Sequence, residues 1–207
     1  MADETPIDLK KACDETLIGL IAVGSAAAIT EFYNRWFPQF TQLATKLTNN
    51  SHAGEDLAQD TVVRVLTKAA SYKPDKPARG WLLAILYNRV RDWARREGLR
   101  RALSLSEQPD DDDAPRALEI AARDPSPDER SLAREREGIM QAALDQLTPA
   151  EHEVILLRDY AGLGAPETAR ILGISTGTVG GRLHRARKRL GGLLPPDFLG
   201  GFYSQEL

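Results

Sequence analysis

Five of the eight residues from Arg182 to Arg189 are basic (Arg182, Arg185, Arg187, Lys188 and Arg189), and no acid lies among them. Arg182, Arg185 and Arg189 are spaced i, i+3, i+7, which on a helix brings them to one face. A second basic run lies upstream: seven arginines at Arg79, Arg89, Arg91, Arg95, Arg96, Arg100 and Arg101, opposed only by Asp92 and Glu97. Rows of guanidinium groups bind phosphates, so the chemistry these residues offer is recognition of a polyanion. Residues for bond making are not arranged in any familiar pattern. There is no glycine-rich phosphate loop or nucleophile elbow. His52, His152 and His184 lie far apart, and the single cysteine, Cys13, rules out an internal disulfide or a multi-cysteine zinc site. The sequence therefore predicts no enzyme, no metal and no cofactor. Cys13 beside an amphipathic run reads as a bystander.

Net charge hides this distribution until it is divided by region. The chain carries a formal −3 overall, yet residues 1–101 hold 15 Lys/Arg against 12 Asp/Glu, and residues 140–207 hold 7 of each. The acid is concentrated between them, with 11 Asp/Glu against 5 Lys/Arg in residues 102–139. That middle stretch contains four consecutive carboxylates, Asp110 to Asp113, and the prolines Pro109, Pro115, Pro125 and Pro127. Mutual repulsion and missing backbone donors both oppose a packed element there. Residues 102–134 thus read as a flexible acidic linker, with room for a short helix around Arg116 to Ala122.

The elements that must position the basic runs are helical. Leu17, Leu20, Ile21, Ala28, Phe32, Trp36, Leu43 and Leu47 recur at near-helical intervals, with Gly24-Ser25 and Pro38 as breaks. A helix beginning near Glu55 gathers Ala58, Val62, Val65 and Ala69 on one stripe. Tyr72 to Pro77 is a proline-bounded loop, and a long helix follows from Ala78 towards Arg101 with Leu82, Leu86, Val90 and Trp93 inward. In the C-terminal part Thr148, Pro149 and Glu151 form a capping box, and Gly162 to Gly164 interrupts the chain. A short helix from Pro166 to Leu172 then ends at Gly173, and Ser175 caps the next. That last helix places Val179, Leu183, Ala186 and Leu190 inward, the layout of a helix-turn-helix whose second helix carries the basic run. The fold class is all-α: two small helical domains, residues 14–101 and 135–191, with a short Gly/Pro-rich tail over 192–207. The longest apolar stretch, Leu17 to Ile29, is too short for a bilayer, and the acidic start does not resemble a signal peptide, so a cytoplasmic protein is expected.

At this point the chain resembles a known family. Leu147-Thr-Pro-Ala-Glu-His-Glu-Val-Ile-Leu-Leu-Arg-Asp-Tyr, Ala169-Arg-Ile-Leu-Gly-Ile-Ser-Thr-Gly-Thr-Val and Arg182-Leu-His-Arg-Ala-Arg-Lys-Arg-Leu are similar to region 4 of extracytoplasmic-function sigma factors. Glu55-Asp-Leu-Ala-Gln-Asp-Thr-Val-Val-Arg-Val-Leu and Trp81-Leu-Leu-Ala-Ile-Leu-Tyr-Asn-Arg-Val-Arg-Asp are similar to their region 2. The resemblance implies core RNA polymerase (clamp and flap), promoter DNA and an anti-sigma factor as partners. It implies polymerase docking by Asp56, Gln59, Asp60 and Arg64, although a solvated helix face with an Asp60–Arg64 pair also accounts for those charges. Tyr72, Lys73, Lys76, Arg79, Trp81, Asn88, Arg91, Asp92, Arg95 and Arg96 would meet the minus-10 element. Tyr72 would be a stacking platform for an unstacked base, unless it belongs to the core. Asn88 and Asp92 either read base edges or form an internal polar pair. Ser175, Thr176, Thr178, Arg182, Arg185, Lys188 and Arg189 would meet the minus-35 element.

Two departures stand out. Gly180-Gly181 occupies positions where relatives carry a basic and a small polar residue, which predicts a weaker or more adaptable minus-35 contact. Gly164 replaces a usual serine cap. The competing reading is a helix-turn-helix regulator that binds duplex DNA without polymerase.

Overall fold

The computed structural model describes residues 8–104, 127–195 and 198, with side chains over 8–98, 135–195 and 198. The expected short helix at Arg116 to Ala122, the side chains of Arg100 and Arg101, and most of the tail lie outside the described residues. Among the described residues all regular structure is helical, and no helix is long and apolar enough to cross a membrane. Contacts divide the chain into two units, 1–118 and 119–207.

In the first unit α1 (Asp14–Ala22) ends at Gly24, whose φ of 85° is open to glycine, and Ser25 caps α2 (Ala26–Thr48) by accepting the N–H of Ala28. The sequence placed a break at Pro38, yet α2 runs through it. Proline removes one internal hydrogen bond, but Phe32, Trp36 and Phe40 lie on one face and are essentially fully buried. The burial of three rings outweighs one missing donor. Nearby carbonyls gain side-chain donors: Gln39 Nε2 bonds to Arg35 O at 2.9 Å and Thr41 Oγ1 to Phe37 O at 3.0 Å.

α3 (Ser51–Lys68) starts a turn earlier than Glu55, because the Asn50 side chain accepts the N–H of Ala53 at 2.9 Å and so nucleates the end. Gly54 then lets α3 cross close to α2: a Cβ there would stand 2.8 Å from the backbone nitrogen of Thr45. The stripe Ala58, Val62, Val65 and Ala69 is buried as its spacing predicts. After a 3-10 turn (Ala69–Ser71) and the loop, α4 (Ala78–Ser104) buries Leu82, Leu86 and Val90. Trp93 is only half-buried, not inward. Beyond Val90 none of the described α4 side chains is buried, since Arg91, Arg95 and Arg96 there are poorly suited to a core.

The second unit contains α5 (Pro127–Leu144), α6 (Pro149–Ile155), a π-helical turn (Leu156–Tyr160), α7 (Ala165–Leu172) and α8 (Thr176–Leu193). α5 begins inside the stretch read as linker, with Pro127 at its first position, where the absent N–H costs nothing. Gly162 and Gly173 take φ of 69° and 67°, so both turns need glycine. Gly164 caps α7 without a side chain, and Glu167 supplies the acceptor for the Gly164 N–H at 3.1 Å. Val179, Leu183, Ala186 and Leu190 are all buried, and α8 is unbroken through Gly180 and Gly181.

The capping box at α6 is reciprocal. Thr148 Oγ1 accepts the Glu151 N–H at 3.4 Å, and Glu151 Oε2 accepts the Thr148 N–H at 3.1 Å and its hydroxyl at 2.9 Å. The same carboxylate receives Arg189 Nη1 at 3.2 Å from α8. The Thr148 backbone donor above all, then its hydroxyl and Arg189, hold the Glu151 carboxyl below its ordinary range.

Two outcomes follow. A lowered folded-state value means Glu151 stabilises the unit above its unfolded value and loses that contribution as pH falls through the folded one. The thermal midpoint of wild-type protein should therefore fall more steeply than that of Glu151→Gln below about pH 4.3; parallel profiles would contradict it. Apart from its chain neighbours and the backbone of its own helix, no atom lies within 4 Å of a Cβ built on Gly180. Gly180→Ala should therefore raise the unfolding free energy of this unit by about 1 kcal/mol in urea titration. Gly180→Lys should do nearly as well and tighten DNA binding; unchanged helicity and affinity would remove any role for the glycine pair.

Candidate nucleic-acid interface

The buried stripe of α8 turns its other faces outward, and the basic residues divide accordingly. Arg187 makes a two-pronged bond to Asp159 of the π-helical turn, Nε to Oδ2 at 2.9 Å and Nη2 to Oδ1 at 2.8 Å. Arg189 reaches Glu151 and the carbonyl of Gln146 at 3.4 Å, so this predicted DNA contact is engaged within the unit while remaining half-exposed. Arg185 and Lys188 are exposed and Arg182 is half-buried. Arg185, Lys188 and Arg189 line an open groove of about 450 Å³ with Glu151, Gly192 and Leu193. At the other end Ser175 Oγ accepts the Thr178 N–H at 3.1 Å and meets Thr178 Oγ1 at 2.8 Å. Ser175, Thr176 and Thr178 are exposed there. The helix thus offers small hydroxyls at its start and cations further along, the order in which a recognition helix meets base edges and then phosphates.

In the first unit the loop before α4 is internally tied. The Tyr72 hydroxyl donates to the Lys76 carbonyl, and its ring lies 5.1 Å from that of Trp81 at 51°. Burial pushes the Tyr72 hydroxyl above its ordinary range. Tyr72 is therefore partly buried and braces the loop, while Lys73 and Lys76 are exposed. The Arg79 guanidinium lies 5.5 Å from the Trp36 ring centre, a cation–π contact onto the buried aromatic stripe. Along α4, Asn88, Arg91, Arg95 and Arg96 are exposed. Asp92 accepts from Arg89 Nη1 at 3.3 Å, and its carbonyl accepts from Arg96 Nε at 3.2 Å, so it bonds to arginines on its own helix.

α3 shows the third surface. Asp56 and Gln59 are exposed, and Asp60 binds Arg64 on its own helix at 3.3 Å. Asp60 also binds Arg89 of α4, so Arg89 links the α3 face to Asp92 and the arginine row. Sequence reasoning missed Val63, which is 57% exposed and lies at i+7 from Asp56 and i+4 from Gln59 on that face. Its signal was hidden because Val62, its neighbour, is core. Among the described residues no group of three His, Cys, Asp or Glu is placed to hold a metal.

Comparison with known proteins matches this arrangement to one family. Residues 32–100 match Sigma-70 region 2, and residues 137–190 match Sigma-70, region 4. The chain is 31% identical over 184 residues to the RNA polymerase sigma factor CnrH of Cupriavidus metallidurans, covering 89% of this chain and 95% of CnrH. It is 34% identical over 172 residues to the ECF RNA polymerase sigma factor SigE of Mycolicibacterium smegmatis, covering 82% of this chain and 63% of SigE. The sigma factor RpoE of Bartonella quintana, solved in complex with the anti-sigma factor NepR, superposes with a TM-score of 0.63 at 25% identity, covering 81% of this chain and 97% of that one. CnrH in complex with the cytosolic domain of CnrY gives 0.59 at 29% identity, covering 87% and 96%. With both regions present in this order and a relative matched over almost its whole length, the chain belongs to the extracytoplasmic-function sigma factors of the sigma-70 family.

Proposed function

We propose that this sigma factor divides its work between residues 14–101, which bind core polymerase and the minus-10 element, and residues 135–191, which bind the minus-35 element. Residues 102–134 connect them, and 192–207 form a tail. The observation that carries the proposal is the pairing of regions 2 and 4 in one chain. A regulator acting without polymerase needs the helix-turn-helix but has no use for region 2.

Asp56, Gln59, Asp60 and Arg64 dock on the polymerase clamp, with Val63 as the apolar centre of the contact. Val63 lies at i+7 from Asp56 and i+4 from Gln59, so a partner that engages those polar groups also covers its side chain. Lys73, Lys76, Arg79, Asn88, Arg91, Asp92, Arg95 and Arg96 face the minus-10 DNA, with Tyr72 and Trp81 shaping the loop. Ser175, Thr176, Thr178, Arg182, Arg185 and Lys188 face the minus-35 DNA, and Arg189 contributes its exposed part. The polymerase flap holds the second unit. An anti-sigma factor is a further partner, by extension from the RpoE complex. The chain makes no bonds itself, uses no cofactor, and works in the cytoplasm where polymerase and DNA meet.

Val63→Glu, alone or with Asp56→Ala, should weaken binding to core polymerase at least tenfold, about 1.4 kcal/mol. Because these residues are exposed, the thermal midpoint should not move. Anisotropy titration of labelled protein with core enzyme measures both wild type and variants. Unchanged affinity in the double variant would remove α3 as the docking face. Absence of core binding by the wild type would favour the regulator.

A further inference from the structure

α4 begins without a cap of its own. The residue before it is Pro77, which has no side chain to accept a hydrogen bond, and Ala78 is 1% exposed, so its N–H is closed off from solvent. Buried helix-terminal donors need an acceptor. Here it comes from another helix: Glu15 Oε1 of α1 accepts the Ala78 N–H at 2.9 Å, across 63 positions of sequence. This bond is the main reason the Glu15 carboxyl is held below its ordinary range.

The same helix packs against the 3-10 turn Ala69–Ser71. Both ends of the loop 72–77 therefore rest on α1: one at that turn, where Tyr72 N–H also bonds to Ala69 O at 3.1 Å, the other at Ala78. α1 is fixed in turn by Arg35 of α2. Its guanidinium bonds to Asp14 Oδ1 at 3.0 Å, to Ala12 O at 2.8 Å and to Leu9 O at 3.1 Å. Between its two supports the loop is closed by the bond from the Tyr72 hydroxyl to the Lys76 carbonyl.

We propose that Glu15 is a positioning residue for minus-10 recognition: by capping α4 from α1 it sets the shape in which the loop 72–77 receives an unstacked promoter base. This rests on the reading of that loop as the base-binding segment. Glu15 touches no DNA in this account. It acts through the α4 terminus, where a carboxylate also suits the positive end of the helix dipole.

The test uses full-length protein assembled with core polymerase and two fork-junction DNAs, identical except that one is abasic at the captured minus-10 position. Wild-type holoenzyme should prefer the intact base. Glu15→Ala should reduce that preference about tenfold, the size of one ordering contact, while core affinity and binding to the abasic DNA stay as in wild type. Glu15→Gln keeps an acceptor oxygen and should recover most of the preference, whereas Glu15→Met, of similar length but with no acceptor oxygen, should not; equal recovery in both would assign the effect to packing and overturn the capping role. If Glu15→Ala does not fold, Glu15→Asp, which withdraws the carboxylate by one methylene, should show the same selective loss. Wild-type discrimination with full discrimination in Glu15→Ala, or in Glu15→Asp where that is the variant measured, would overturn the role of Glu15 and leave the loop reading intact. Equal binding of both DNAs by wild type would remove the loop reading and this proposal with it.

Discussion

A helix that shows a row of arginines to solvent must still be fastened to its neighbours, and in both units the fastening is an arginine–carboxylate pair. Arg187 is held to Asp159 by two hydrogen bonds of 2.9 and 2.8 Å, and Arg189 reaches the nearly buried Glu151. In the first unit Arg89 binds Asp60 and Asp92. Each pair adds direction to the apolar stripe beneath it, because a planar guanidinium meets a carboxylate in a fixed orientation. The stripe of Val179, Leu183, Ala186 and Leu190 buries one side of α8. The Asp159 and Glu151 pairs fix its rotation, so that Arg185 and Lys188 face outward. Positive charge is thus separated by role: some arginines hold the helix, others remain available for phosphate.

This separation bears on function. A sigma factor lends recognition to an enzyme that does the chemistry, so its own surfaces must be placed rather than reactive. Asp60 is informative here, because it belongs to the face proposed for polymerase and is bound to Arg89 on the helix proposed for DNA. The two surfaces of the first unit share one ionic network. Val63 is exposed beside it, and in the docking proposed for this face it would add an apolar contact where charge alone gives a weak and salt-sensitive interface.

Local periodicity made much of this legible. The stripes of α3 and α8, the Thr148–Glu151 box, the Gly173 turn and the Ser175 cap are relations among residues within one or two helical turns, and each appears where its spacing implies. The missing pieces depend on partners distant in sequence. Pro38 looked like a break because the burial of Phe32, Trp36 and Phe40 is not visible from proline alone. The close crossing of α3 over Thr45 rests on Gly54, and the N-terminus of α4 is satisfied by Glu15. Arg187 and Arg189 looked like their neighbours until Asp159 and Glu151 were brought to them by the fold. The exposure of Val63 was hidden for the same reason, since only packing tells which of two adjacent valines is core.

The most direct measurement is run-off transcription by purified core polymerase on a promoter library, with and without this chain. Initiation that depends on the chain and is confined to a subset of promoters sharing minus-10 and minus-35 sequences is the result predicted. No chain-dependent transcript, together with no binding to core polymerase, would contradict it.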